Sequence, residues 1–303
     1  MKQYVKNDKK VTLHHNVTAL QSLNYKIGKC SIWMKRDDTL DFAFGGNKVR
    51  LFEYLIPDII EKKYTKIATH GGPFSNHNRV AAAVASVLGI DCDIIVIGDK
   101  LDYVGGNRIL TDYFNANLLF CSESNAYDFI EEYLNNKNDD CFWIPGGAHL
   151  KTAVFAYEDT IKETFMQAKE LNIEFDAVYL PTGTGTTQAG VILGCRNTGI
   201  PVYGVTVARD INRCKREIET LLDTYISKEE LESNINILES GYKYGMSNGK
   251  DCKCVYELAI SDGIILDPIY NAKAFCMMSK DLQNKEYNNV LYINTGGIPN
   301  IFT

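Results

Sequence analysis

The run Phe44-Gly45-Gly46-Asn47-Lys48-Val49-Arg50 sets a lysine directly after a glycine pair. Upstream, Cys30-Ser31-Ile32-Trp33-Met34-Lys35 alternates like a strand, and downstream Val49, Leu51, Phe52, Leu55, Ile56 and Ile59 recur at helical spacing. Lys48 is therefore expected in the first turn of a helix. Unpaired N–H groups there carry partial positive charge, which disfavours an ammonium and lowers the cost of a neutral amine. A neutral amine attacks aldehydes. Taken alone, the string fits a solvated lysine at a helix entrance better, so the chemistry rests on the company it keeps.

Two more segments share the design of strand, small polar residues, then helix, which gathers ligands at the carboxyl ends of strands. Thr69-His70-Gly71-Gly72-Pro73-Phe74-Ser75-Asn76-His77-Asn78 precedes an alanine-rich helical pattern. Ser75 and Asn76 fit helix caps as well as ligand contacts, and His77 fits packing or a contact in the site. Thr182-Gly183-Thr184-Gly185-Thr186-Thr187-Gln188 has the composition of a phosphate cradle: glycines for close approach, hydroxyls to donate, and a helix N-terminus behind. A dinucleotide fingerprint needs glycine where Gln188 stands, and Asp210 does not fall cleanly at a strand end as a ribose-binding acid should. A P-loop fails at Gly147-Ala148-His149-Leu150-Lys151-Thr152, which lacks glycine before lysine. A reactive lysine, a phosphate cradle and a Ser/Asn/His loop together suggest an aldehyde cofactor with a phosphate tail, pyridoxal 5'-phosphate.

Strand-like runs at 66–69, 92–97, 118–120, 177–180, 202–207 and 290–294 alternate with helical patterns at 49–62, 78–88, 127–134, 152–171, 187–197 and 272–282, with Pro57 a kink point in the first. This is an α/β chain with parallel sheets. Its 303 residues suit two lobes with a cleft between them. Lys+Arg 32 against Asp+Glu 38 gives a net charge of -6, with no basic stripe to bind nucleic acid. The polar first ten residues are no signal peptide and no apolar run approaches membrane length, so a cytoplasmic protein is expected. Nine cysteines without a secretory signal read as reduced thiols, and the lone Cys252-x-Cys254 reads as two ordinary thiols rather than a metal site. The adjacent His14 and His15 are not spaced as a metal pair, and His70 and His149 read as core or loop histidines. No metal is expected.

Gly45-Gly46-Asn47-Lys48 with Arg50 and Glu53-Tyr54-Leu55, Gly71-Gly72 with Ser75-Asn76-His77, Thr184-Gly185-Thr186-Thr187-Gln188-Ala189-Gly190, Asp267-Pro268-Ile269-Tyr270 and Thr295-Gly296-Gly297 occur in that order over most of the chain. In this the sequence resembles the ACC deaminase/D-cysteine desulfhydrase family of tryptophan-synthase-β-like, fold type II pyridoxal-phosphate enzymes. The resemblance implies a large cofactor-binding domain of residues 1–51 and 158–303 with a small domain, 52–157, inserted, each a mostly parallel sheet flanked by helices, and a homodimer. It implies that Lys48 carries the cofactor and shuttles the Cα proton, that Asn76 bonds its phenolic oxygen, and that Thr184, Gly185, Thr186 and Thr187 hold its phosphate. Ser75, Asn76 and His77 would lie beside the substrate, with Ser75 at its carboxylate or in proton transfer, and Tyr244 and Tyr270 would line the pocket. The family's Gly-Tyr-Gly is here Lys243-Tyr244-Gly245.

The group beside the pyridine nitrogen decides the chemistry, because a carboxylate keeps the ring protonated and a neutral group does not. ACC deaminases carry Glu after the second tyrosine. Here that position is Asn271, with Thr295 the other candidate partner. A neutral partner suits loss of a good β-leaving group such as thiolate, so β-elimination from a D-amino acid, D-cysteine desulfhydrase-like, is expected ahead of ring opening, racemisation or β-replacement. D-cysteine desulfhydrases usually carry Thr at position 271, so the substrate is open to a relative of D-cysteine. A nucleotide- or pyridoxal-binding regulatory protein is the non-enzymatic alternative. The chain stops soon after Gly297, earlier than many relatives, which leaves open a wider pocket or altered dimer contacts.

Overall fold

Strands that alternate with helices must have both faces covered, which is the condition for parallel sheets. The computed structural model describes residues 5–6, 10–98, 105–241 and 252–303. Its elements are β1 (Val5–Lys6), β2 (Val11–Thr12), β3 (Leu20–Ile27), β4 (Cys30–Arg36), α1 (Asn47–Glu61), β5 (Lys66–Gly71), α2 (Asn76–Leu88), β6 (Asp91–Ile97), α3 (Gly106–Tyr113), β7 (Asn117–Cys121), α4 (Ala126–Asn136), β8 (Cys141–Ile144), α5 (Lys151–Glu170), β9 (Ala177–Thr182), α6 (Thr186–Gly194), β10 (Val202–Thr206), α7 (Ile211–Leu222), α8 (Lys228–Asn234), β11 (Asn236–Glu239), α9 (Lys253–Asp262), α10 (Asn271–Asp281) and β12 (Asn289–Asn294).

One sheet has the order β11-β10-β9-β12-β4-β3 and the other β7-β6-β5-β8. Every pairing in them is parallel except β3 with β4, which are joined by a short turn. Each predicted strand and helix is present with its ends moved by a few residues, and α1 continues past Pro57 to Glu61. Among the described residues no helix is long and apolar enough to cross a membrane.

The period-2 alternation of β12 divides the core. Leu291 and Ile293 face the layer of α1, α5 and α6, while Val290 and Tyr292 join Ile32, Met34 and Phe275 beneath α9 and α10. Burying each such side chain contributes about 1.5–3 kcal/mol. Behind α1 lies a buried charge network: Arg50 donates to Asp37 at 3.0 Å and to Glu163 at 3.1 Å, Lys35 to Glu163 at 2.5 Å, and Tyr157 to Asp37 at 2.6 Å. Burial pushes the Asp37 carboxyl up, but Arg50, Tyr157 and Lys35 outweigh it and hold the group below its ordinary range. Desolvation consumes most of the attraction in such a network. Its effect is positional: it fixes the strand-to-helix turn that carries Lys48.

The cysteine expectation is corrected at one pair. Cys252 and Cys276 are joined in a disulfide with Cα atoms 6.2 Å apart, and the other seven cysteines are free. The reason is tertiary. Cys252 caps α9 and Cys276 lies on α10, which packs beside it, so sulfurs remote in sequence meet.

Candidate active site

The segments that follow the carboxyl ends of β4, β5, β8, β9, β10 and β12 converge on one cleft of about 470 Å³. The first is the glycine turn. Gly46 has φ 97°, a left-handed conformation that favours glycine, and a Cβ there would lie 2.7 Å from the Thr295 carbonyl oxygen. Because the turn approaches so closely, the Asn47 N–H donates to that same oxygen at 3.0 Å. Lys48, second residue of α1, then enters the cleft and donates from Nζ to the Gly147 carbonyl at 3.0 Å. Burial, and next the Arg209 charge, push its pKa down from 10.5 to about 7. The expected shift is present, but burial is its leading cause where the helix terminus was expected to be.

Ser75 is the N-cap of α2. Its hydroxyl caps α2 by accepting from the Asn78 N–H at 3.3 Å, and it lines the cleft. Asn76 is held by Asn107, whose Nδ2 donates to Asn76 Oδ1 at 2.8 Å and to Asn300 Oδ1 at 2.9 Å. The last residues of the chain are thereby tied to the site. His77 is buried against Phe52 and shares a 2.6 Å hydrogen bond through Nε2 with Thr69 Oγ1. Since the Thr69 hydroxyl donates to the Ile144 carbonyl at 2.6 Å, His77 Nε2–H is the donor, and Nδ1 is left a buried acceptor without a partner. Burial, then Lys48 and His70, hold His77 well below its ordinary pKa, so it is neutral.

At the other end, β9 leads through Gly183 into α6, whose first-turn N–H groups have no acceptor within the helix. Gly185, its N-cap, has φ 85°, and a Cβ there would meet Ile218 Cγ1 at 2.8 Å. Thr184, Gly185 and Thr187 line the cleft; Thr186 is fully buried and directs its hydroxyl to the Gly147 carbonyl at 3.4 Å. Asn47 Nδ2 donates to Thr187 Oγ1 at 2.8 Å, joining the lysine-bearing turn to this loop. Arg209 and Arg213, from the loop and helix after β10, also face the cleft and were missed. The signal was available: Val202–Thr206 leads into a loop of the same strand–loop–helix design, whose Asp210 is the N-cap of α7 and accepts from Arg213 N at 2.9 Å. Arg209 donates to Glu217 at 2.8 Å, and burial lowers its pKa. It brings a guanidinium, paired on one side with Glu217, to the cleft.

Tyr270 lines the cleft at the start of α10. Tyr244 and its neighbours Lys243 and Gly245 lie outside the described residues. Asn271 and Thr295 occupy different positions in depth. The Asn271 side chain is fully buried, its Nδ2 donating to Asp267 Oδ1 at 2.9 Å, Gly296 O at 2.6 Å and Thr295 Oγ1 at 3.2 Å. Its Oδ1 accepts from the Thr295 N–H at 3.1 Å and the Tyr292 hydroxyl at 3.2 Å. Thr295 faces the cleft, and Asn271 does not.

The groups present fit a phosphorylated aldehyde: an amine poised between charged and neutral, a helix N-terminus with hydroxyls and a guanidinium, a neutral hydroxyl opposite, and a buried imidazole nitrogen left to accept. Comparison with known proteins agrees. The family model described as pyridoxal-phosphate dependent enzyme matches residues 11–296. A Pyrococcus abyssi protein provisionally named 1-aminocyclopropane-1-carboxylate deaminase is 30% identical over 89% of this chain and 86% of its own length. The D-cysteine desulfhydrase of Salmonella newport is 29% identical over 89% of this chain and 88% of its own. A crystal structure titled as an ACC deaminase homologue superimposes with TM-score 0.84 at 26% identity, covering 97% of this chain and 93% of its own.

Proposed function

Because the chain belongs to the pyridoxal-phosphate-dependent enzyme family, in the group that holds ACC deaminases and D-cysteine desulfhydrases, we propose that it is a carbon–sulfur lyase releasing sulfide, ammonia and pyruvate from a D-amino acid such as D-cysteine. One observation carries the reading: the neutral Thr295 hydroxyl faces the cleft, while the Asp267 carboxylate, hydrogen-bonded to Asn271 on the far side of Thr295, does not line it. A neutral partner leaves the pyridine nitrogen unprotonated and suits departure of a good leaving group.

Pyridoxal phosphate, when bound, withdraws electrons from the substrate Cα. Lys48 Nζ would hold the cofactor and would be the base for the Cα proton, a role that an amine with its pKa lowered to about 7 suits at neutral pH. Thr184, Gly185, Thr186 and Thr187 with the α6 N-terminus and Arg209 would hold the phosphate, and Asn76 would donate to the phenolic oxygen. Ser75 would meet the substrate carboxylate, His77 Nδ1, an acceptor, would take a hydrogen bond from a donor on the bound molecule, and Tyr270 would face the β-substituent. Residues 52–157, which hold the β7-β6-β5-β8 sheet, form the small domain and 1–51 with 158–303 the large one, in a cytoplasmic homodimer. Purified holoenzyme offered D-cysteine, L-cysteine, D-serine and ACC should give sulfide and pyruvate from D-cysteine fastest. Faster 2-oxobutyrate from ACC, or racemised amino acid without elimination, would sink the proposal.

A further inference from the structure

We propose that Cys252, Cys254 and Cys276, when reduced, form a three-thiolate site for zinc, away from the cleft. Cys252 caps α9, Cys254 is its second residue and Cys276 lies on α10. Their sulfurs lie within 4.8 Å of one another, with Cys252 and Cys254 at 3.2 Å and Cys254 and Cys276 at 3.9 Å. A disulfide uses two sulfurs and gives no reason for a third to be packed against both. Cys254 is nonetheless buried there. A single cation engages all three: zinc–sulfur bonds of about 2.3 Å set sulfurs about 3.8 Å apart in a tetrahedral arrangement.

Charge selects the ion. Three thiolates with zinc leave one negative charge in a buried site, whereas copper(I) leaves two. Water is the fourth ligand, since three protein sulfurs leave one position of a tetrahedron open. The disulfide is the oxidised, metal-free form. A dithiol reductant converts Cys252–Cys276 to two thiols, becoming a disulfide itself, and zinc then enters as the three thiols release three protons.

The holoenzyme, reduced anaerobically, given zinc chloride and desalted, should retain about one zinc per chain by elemental analysis. In competition with a chromophoric chelator, Cys254→Ser should hold zinc at least tenfold more weakly, while Cys121→Ser matches wild type. Cobalt loading should give a thiolate charge-transfer band that Cys254→Ser lacks. Cofactor absorbance checks that each variant is folded. Equal zinc affinity in wild type and Cys254→Ser, retention of copper(I) but not zinc, or a native protein that still titrates as seven thiols rather than nine after reduction would each overturn the assignment.

Discussion

Lys48 Nζ and the Thr186 hydroxyl donate to one acceptor, the Gly147 carbonyl oxygen, at 3.0 and 3.4 Å. The candidate nucleophile and the threonine-rich turn are thus fastened to the same atom, although 138 residues of numbering (186 less 48) separate them. That bond draws on the amine whether it is charged or neutral, and it aims the nitrogen toward the mouth of α6.

Lys48→Ala should bind the cofactor reversibly, so that borohydride no longer fixes label to the chain, and turnover should fall by about 10²–10⁴-fold. Absorbance before and after reduction, with mass spectrometry of the peptide, checks both. Label still fixed in the variant would transfer the role to another lysine.

The low pKa of Lys48 makes two statements about pH. In the cofactor-free protein the neutral amine dominates above about 7, so the rate of covalent cofactor uptake should rise with pH and level off just above that value. Between about 7 and the ordinary 10.5 the unfolded chain holds a proton that the folded chain has released. Stability should therefore gain a rising contribution with pH across that window. Urea midpoints of cofactor-free wild type and Lys48→Met should differ in slope there.

Arg209→Gln should weaken binding of pyridoxal phosphate by roughly 10- to 150-fold, as expected for losing a charged contact of about 1.5–3 kcal/mol. Pyridoxal, without the phosphate, should bind both proteins alike. Equal weakening for both would mean that Arg209 orders the loop instead of meeting the anion.

Asn271→Ala strips the buried Asp267 carboxylate of one donor and Thr295 of its partner. Loss of about 3 kcal/mol is expected, read as a lower urea midpoint, together with a changed absorbance of the bound cofactor. An unchanged spectrum in a destabilised protein would detach Thr295 from the ring nitrogen.

Gly46→Ala should fail differently, because its Cβ would press on the Thr295 carbonyl at 2.7 Å in a left-handed backbone. Weak cofactor retention with secondary structure intact by circular dichroism is the expected result.

The three site loops were legible because each joins an apolar strand to a helix through small polar residues, a pattern carried by local spacing. β3 was not, since it is an edge strand whose exposed positions are polar, and neither was α7, whose charged face hides a buried stripe of Cys214, Ile218, Leu221 and Leu222. Arg209 was passed over in favour of its neighbour Asp210, although only tertiary packing turns the arginine into the cleft. Sequence left Asn271 and Thr295 as equals. Depth separates them, and depth is a property of how α10 meets the end of β12. The Cys252–Cys276 meeting was invisible for the same reason.

The hydrogen bond from the Asn47 N–H to the Thr295 carbonyl has an evolutionary corollary. The acceptor is a backbone carbonyl, which every residue type carries, so the side chain facing the cleft at 295 can be exchanged while the foothold of the residue beside Lys48 stays in place.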